Sequence, residues 1–155
     1  MTTERNLLHA QSILGDLTTD WSQPAPDRYD AFVQPDNLVA VVTTLHQDRW
    51  GYLAAITGLD KGPEVGEFEV LYHFCADAAV LTLRVIIDRA DPVMPSICGV
   101  MLYASPYERE TGEMLGITFA GTPDDAWLFL PDDWQSEVFP LRKDAVLNGN
   151  GGGDA

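Results

Sequence analysis

Residues Val80 to Asp88 alternate with a period of two. Leu81, Leu83, Val85 and Ile87 fall on one face, and Thr82, Arg84 and Ile86 on the other. A strand patterned this way has one face that must be buried and one that is mixed. Glu67 to Cys75 reads as the preceding strand, and Ala76 to Ala79 is short enough to join the two as a hairpin. Trp50 to Thr57 reads as a strand before these, broken by Gly58, and Asp60-Lys61-Gly62-Pro63-Glu64 turns the chain. The buried face needs a cover. A helix starting at Pro35-Asp36 supplies one, because Leu38, Val41, Val42 and Leu45 recur at i, i+3, i+4, i+7.

The remaining pattern is shorter. Residues 3–14 read as a helix with Thr3 as its cap, Leu7, Ala10 and Leu14 as its apolar stripe and Gly15 as its stop. Asp16 to Asp27 reads as a loop, and Arg28 to Val33 as a short strand. Ser96 to Met101 predicts one or two helical turns, and Ile117 to Phe119 a final short strand. Between them, Ser105 to Ile117 carries signals at both ends. Ser105 and Glu108 have the spacing of a capping box, Pro106 suits the first helical position, and Gly116 suits a left-handed stop. Arg109 and Glu113 form an i,i+4 charge pair, while Tyr107, Met114 and Leu115 form the apolar side.

After Gly121 regular pattern ends. Pro123, Pro131 and Pro140 interrupt a stretch that also holds Trp127, Phe129, Leu130, Trp134 and Phe139. So much aromatic surface predicts an extended arm that packs on something, not a solvated tail. The chain is read as an α+β fold of two layers: a mixed β-sheet with helices packed on one face, plus an extended C-terminal arm. Residues 1–121 are the core domain, 122–147 the arm, and 148–155 a Gly-rich tail expected to be disordered.

Charge excludes several partners. The formal net charge is −15, from 24 acids and 9 bases. That opposes sequence-independent nucleic-acid binding and charge-driven docking on anionic lipid. It fits a soluble subunit whose partners are basic or apolar. No apolar run approaches the ~20 residues that span a bilayer, and Thr2 to Arg5 is polar, so an intracellular protein without direct membrane insertion is expected. Cys75 and Cys98 stand far apart and form no Cys-x-x-Cys pair, which reads as two core residues and not a cluster or zinc site.

No side chain stands in an obvious catalytic pattern. Glu108 and Glu110 at i and i+2 project about 200° apart on a helix, so they cannot flank one substrate atom. Glu108 is then a cap, and Glu110 is solvated or faces a partner. Asp124-Asp125 and Asp132-Asp133 lack the alternating spacing of a Ca²⁺ loop and read as solvated acids. His9, His46 and His73 are scattered, and no nucleophile, base or phosphate loop is spaced for chemistry. Trp127, Trp134 and the basic pair Arg142-Lys143 admit two readings: packing on their own domain, or anchoring a neighbouring subunit.

The run Glu108-Arg109-Glu110, then Glu113, then Gly116-Ile117, resembles the signature of the thirty-kilodalton subunit of respiratory complex I, a domain shared with energy-converting membrane-bound nickel–iron hydrogenases. The resemblance continues in order over roughly residues 36 to 145: Trp50 to Asp60 with its Gly-Leu-Asp ending, Phe68 to Phe74, Leu81 to Ile87, Asp91 to Ser96, Leu130 to Trp134 and Pro140 to Asp144. The family's Gly-His-Pro-Asp-Leu-Arg-Arg segment is Gly121-Thr122-Pro123-Asp124-Asp125-Ala126-Trp127 here, without the His and the basic pair.

What the resemblance implies is a non-catalytic peripheral-arm subunit of a complex I-like NADH–quinone oxidoreductase. Such a subunit braces the large quinone-site subunit and adjacent iron–sulfur subunits. It carries no cofactor itself; iron–sulfur clusters and flavin belong to its partners. It sits on the cytoplasmic side of a prokaryotic cell membrane. The contact surface it implies comprises Glu108, Arg109, Glu110, Glu113, Gly116, Trp127, Trp134, Arg142 and Lys143. On that reading, removing Arg109 and Arg142 together weakens assembly and largely spares folding. The equivalent hydrogenase subunit stays open as an alternative. A stand-alone hydrolase using the acid-rich loops is a remote third.

Overall fold

The alternation at 80–88 is realised as a buried central strand. In the computed structural model, which describes residues 2–147, Leu81, Leu83 and Val85 are fully buried and Arg84 and Ile86 are half-buried on the other face. The elements are α1 (Thr3–Leu14), β1 (Thr19–Ala25), β2 (Arg28–Phe32), α2 (Leu38–Gln47), β3 (Tyr52–Asp60), β4 (Glu67–Ala76), β5 (Ala79–Asp88), β6 (Val93–Pro95), α3 (Ser105–Leu115) and β7 (Thr118–Ala120). Five strands form one sheet in the order β1-β2-β5-β4-β3, and β6 and β7 form a separate pair. β5 runs antiparallel to β4 but parallel to β2, which makes the sheet mixed. Asp77, at φ 53, turns the β4–β5 hairpin in the left-handed region that Asp tolerates.

The helices α1, α2 and α3 lie on one side of the sheet. The stripe of α2 (Leu38, Val41, Val42, Leu45) and that of α1 (Leu7, Ala10, Leu14) are buried with Phe68, Tyr72 and Phe74 of β4. α1 lies against β5 and α2, while α3 covers β3. Trp50 ties these layers, its indole N–H donating to the Asn6 carbonyl at 2.9 Å. The cap of α1 is Thr2, not Thr3: its hydroxyl accepts the Arg5 N–H at 3.3 Å. On the outer face His73 lies between the hydroxyls of Thr57 and Thr82, 3.2 Å from each, and burial lowers its pKa. It is a satisfied sheet residue.

Three further expectations are corrected. The stretch 16–27 is not simply a loop, because residues 19–25 form β1. Its pairing with β2 slips between Thr19 and Ser22 and again between Ser22 and Ala25, and it contains Pro24, which an edge strand accepts. No alternation marks it; the open edge of β2 recruits it. Gly58 does not break β3, which continues to Asp60. Its missing side chain is the space α3 occupies, since a Cβ there would collide with Leu115 Cδ1 and stand 2.9 Å from Thr111 Cγ2. Cys98 is buried as expected, but Cys75 is only half-buried on β4.

The stretch from Ser96 to Met101 contains a single turn, with the N–H groups of Val100 and Met101 both on the Ile97 carbonyl. Residues 121–147 form no helix or strand. The Gly-rich tail at 148–155 lies outside the described residues. Replacing Gly58 with Ala should overpack the α3–β3 contact. Urea unfolding should show a loss of about 1–3 kcal/mol; unchanged stability would mean that α3 is not seated on Gly58.

Candidate functional site

α3 carries the charged residues that the sequence singles out, and most of the partners of Glu108, Arg109 and Glu113 are backbone groups of the same chain. The expected capping box is absent. Ser105 is already helical (φ −53, ψ −48), because a 3₁₀ turn over Leu102–Ala104 feeds straight into α3 and Ala104 takes the cap position. Glu108, 1% exposed, is therefore free to turn inward. Its carboxylate accepts from Ser96 Oγ at 2.7 Å, the Ile97 N–H at 2.8 Å and Cys98 Sγ at 3.2 Å. It locks the loop after β6 instead of closing its own helix. Burial, above all, raises the Cys98 thiol, so it stays protonated and can donate to Glu108. Burial first, then the Glu108 charge and Cys98, push the nearby Tyr72 phenol well above its usual range.

Arg109 and Glu113 do not pair with each other, which corrects the i,i+4 expectation. Both reach residues 124–130. Arg109 donates Nε to the Ala126 carbonyl at 2.8 Å and Nη2 to the Trp127 carbonyl at 3.2 Å, and stands 3.5 Å from the Asp124 carboxylate. Glu113, 5% exposed, accepts the N–H of Leu128 at 2.9 Å, of Phe129 at 2.8 Å and of Leu130 at 3.4 Å. A cation on two carbonyls and a carboxylate on successive N–H groups clamp one stretch of backbone. Geometry won over spacing here: a main chain with unmade hydrogen bonds competes well against an exposed ion pair of a few tenths of a kcal/mol. Glu110 is exposed and makes no hydrogen bond or ion pair among the described residues.

The end of α3 is a second fastening. Gly116 caps it in the left-handed conformation (φ 76, ψ 33), its N–H on the Gly112 carbonyl at 2.7 Å. A Cβ there would meet Phe139 at 2.6 Å and Arg142 Nη2 at 2.7 Å, so Gly116 also makes room for the returning chain. Arg142 donates Nε to the Leu115 carbonyl at 2.7 Å, where a cation also suits the helix dipole. Its guanidinium lies 4.5 Å over the Phe139 ring and 5.2 Å over Phe68. With both guanidinium groups engaged internally, the expectation that Arg109 and Arg142 could be removed with folding largely intact no longer follows. Trp127 and Trp134 are half-buried, and the Trp134 indole donates to the Val138 carbonyl at 2.8 Å.

The third fastening joins Lys143, by its backbone N–H, to Asp60 and Arg89, neither of which was expected at a contact site. Asp60, the last residue of β3, is buried and accepts from Gly62 N–H (2.8 Å), from Arg89 Nε and Nη2 (3.0 and 3.1 Å) and from the Lys143 N–H (2.9 Å). Arg89 also binds the Asp144 carboxylate. The Lys143 side chain itself is exposed. Burial alone would raise the Asp60 carboxyl; the Arg89 side chain and the Lys143 and Gly62 N–H groups outweigh it and hold the pKa at about 2. The signal in the sequence was the Gly58-Leu59-Asp60 ending.

A cleft of about 250 Å³ lies between α3, β7 and residues 122–127, bordered by Arg109, Glu113, Asp124 and Trp127. Of its charged groups, Glu108, Arg109, Glu113 and Asp124 are already engaged in holding the chain, and Asp125 is exposed. Glu108 and Glu110 do not converge: one is buried and the other exposed. Among the described residues no group of three or more His, Cys, Asp or Glu is placed to hold a metal ion. What the arrangement does is fasten an irregular segment at fixed points.

A family model described as respiratory-chain NADH dehydrogenase, 30 Kd subunit, matches residues 31–151. An NADH-quinone oxidoreductase subunit of Roseiflexus sp. (strain RS-1) is 35% identical over 121 residues, covering 75% of this chain and 68% of that protein. Formate hydrogenlyase subunit 5 of Escherichia coli (strain K12) is 32% identical over 130 residues, covering 82% of this chain but only 23% of that protein. Among solved structures, a chain of the membrane-bound sulfane sulfur reductase, an archaeal respiratory membrane complex, superposes with a TM-score of 0.78 over 94% of this chain and 88% of that one, at 21% identity. The trypsin-resistant fragment of Nqo5 superposes with a TM-score of 0.60 over 80% of this chain and 99% of the fragment, at 24% identity. At these identities the two structures show a shared fold.

Two outcomes follow from the fastenings. Glu113→Gln should speed amide hydrogen exchange at Leu128 and Phe129 by about tenfold or more, from the loss of charge-assisted bonds of roughly 1–3 kcal/mol. Unchanged exchange would remove Glu113 from the clamp. Because the folded Asp60 pKa of about 2 lies below its ordinary 3.8, this carboxylate stabilises the fold fully above that value and ceases to do so as pH falls toward 2. The stability gap between the natural chain and Asp60→Asn, followed by urea unfolding, should therefore close between about pH 4 and pH 2. A gap that persists below that range would refute the assignment.

Proposed function

The chain belongs to the family of the 30 kDa subunit of respiratory-chain NADH dehydrogenase, and from that premise we propose that it is a non-catalytic peripheral-arm subunit of a complex I-like NADH–quinone oxidoreductase. Its relatives include subunits of multi-subunit redox complexes, so its work is done beside other chains. It braces the large quinone-site subunit and the adjacent iron–sulfur subunits while the assembly passes electrons to quinone and moves ions. Iron–sulfur clusters and flavin reside in those neighbours; this chain holds none. The complex lies on the cytoplasmic side of a prokaryotic cell membrane. No helix among the described residues is long and apolar enough to cross a membrane, which accords with peripheral attachment through partners.

One observation carries this reading. Arg109 and Glu113 of α3, Asp60 of β3 and Arg142 each bind backbone groups of the same chain and hold α3, β3 and residues 126–144 as one unit, where an enzyme would aim such groups at a substrate. Such a unit supplies position. Electron and proton steps depend on distances between neighbours, and a rigid brace keeps those distances constant.

A second reading, the equivalent subunit of an energy-converting hydrogenase-type complex, is favoured by the match to formate hydrogenlyase subunit 5 over 130 residues. Purification of the tagged chain from membranes separates the two. Mass spectrometry should identify NADH-oxidising, quinone-reducing partners carrying flavin and iron–sulfur clusters. A partner set with nickel–iron ligands would establish the second reading. A chain that purifies alone and turns over a substrate would refute both.

A further inference from the structure

The segment that α3 clamps presents two apolar side chains outward. Leu128 is 38% exposed and Phe129 63% exposed, although their own N–H groups are held by a buried carboxylate. An unrestrained loop would fold such residues inward or let them move. Here Glu113 grips the backbone on one side and Arg109 grips the Ala126 and Trp127 carbonyls just before it. The conformational cost of presenting the pair is met within the folded chain, which is the condition for a pre-organised contact.

The surroundings are of one sign. From Glu110 to Leu141 there is no Lys, Arg or His. Asp125 and Asp132 border one shallow depression together with Trp127, on either side of the exposed pair in sequence, and Asp133 beside them is exposed as well. Arg109, which reaches this region from α3, is engaged by two carbonyls and Asp124. The surface is thus an aromatic and aliphatic knob in an acidic setting.

We propose that Leu128 and Phe129 form the centre of a docking site for a neighbouring protein subunit, whose matching surface is an apolar pocket rimmed by Lys or Arg. Aromatic side chains at the centre of an interface carry most of its energy, while charges at the rim steer association and reject the wrong partner. Charge complementarity selects this occupant. A second copy of the chain would bring the same acidic surface to it, against a formal charge of −15 on each molecule. An anionic lipid surface is repelled for the same reason. The inference rests on the reading of the chain as a subunit and specifies where, and to what chemistry, it attaches.

The test uses the full tagged chain, purified from membranes at low salt with whatever it assembles with. A photoreactive benzophenone residue replaces Phe129. Illumination should join it to one neighbouring subunit, at an apolar residue flanked within a few positions by Lys or Arg. Phe129→Ser should reduce the amount of that neighbour retained at least tenfold without shifting the chain's own unfolding midpoint. Asp125→Lys with Asp132→Lys should do likewise, and raising the salt should weaken retention by the natural chain. Cross-linking to a second copy, no cross-link from an assembled complex, or full retention by Phe129→Ser would each overturn this site and leave the subunit reading standing. A natural chain that retains no partner at all would overturn both.

Discussion

Buried carboxylates that accept backbone N–H groups are the interaction on which this structure depends. Glu108 takes the Ile97 N–H, Glu113 those of Leu128 and Phe129, and Asp60 those of Gly62 and Lys143. Each bond settles two costs together. A buried carboxylate without donors is expensive, and so is irregular backbone whose N–H groups find neither a ladder nor water. Acid side chains on regular elements and unpaired amides on irregular segments satisfy each other. Residues 121–147 contain no helix or strand, yet they can hold a defined course because of this.

The same arrangement shapes the charge the molecule shows to others. The bases are few, and Arg84, Arg89, Arg109 and Arg142 are all engaged by the chain's own carboxylates, carbonyls or aromatic rings. Among the described residues the exposed surface therefore keeps most of the acids, against the exposed bases Arg5, Arg28, Arg49 and Lys143. For a subunit this favours basic neighbours and discourages self-association. It also gives α3 a double duty, since one helix seats on Gly58 of β3 and steers the chain that follows it.

Periodic elements were legible in the sequence because the period itself is the physical requirement. The alternation at 80–88 and the stripe Leu38, Val41, Val42, Leu45 could satisfy burial in only one way, and both are buried as that pattern demands. The Gly116 stop was equally legible, since few residues other than Gly accept its left-handed conformation next to Phe139. Local signals failed where a distant partner outcompeted a near one. Glu108 had the spacing of a cap but reaches the loop after β6. Arg109 and Glu113 had the spacing of a pair but reach residues 126–130. Gly58 looked like a break and is a contact. β1 had no pattern at all and is a strand because an edge was free to accept it.

The resemblance carried by Glu108 to Ile117 located the right helix, and the family match over residues 31–151 includes it. It did not say what each charge touches. Residue order alone determined the periodic helices and strands (though not β1), which of their faces are apolar, where α3 stops and how acidic the whole is, because these follow from local periodicity, backbone stereochemistry and counting. Tertiary structure decided the partners of Asp60, Glu108, Arg109, Glu113 and Arg142. Those depend on which unpaired backbone groups fold within reach, and that is a property of three dimensions that spacing along the chain does not encode.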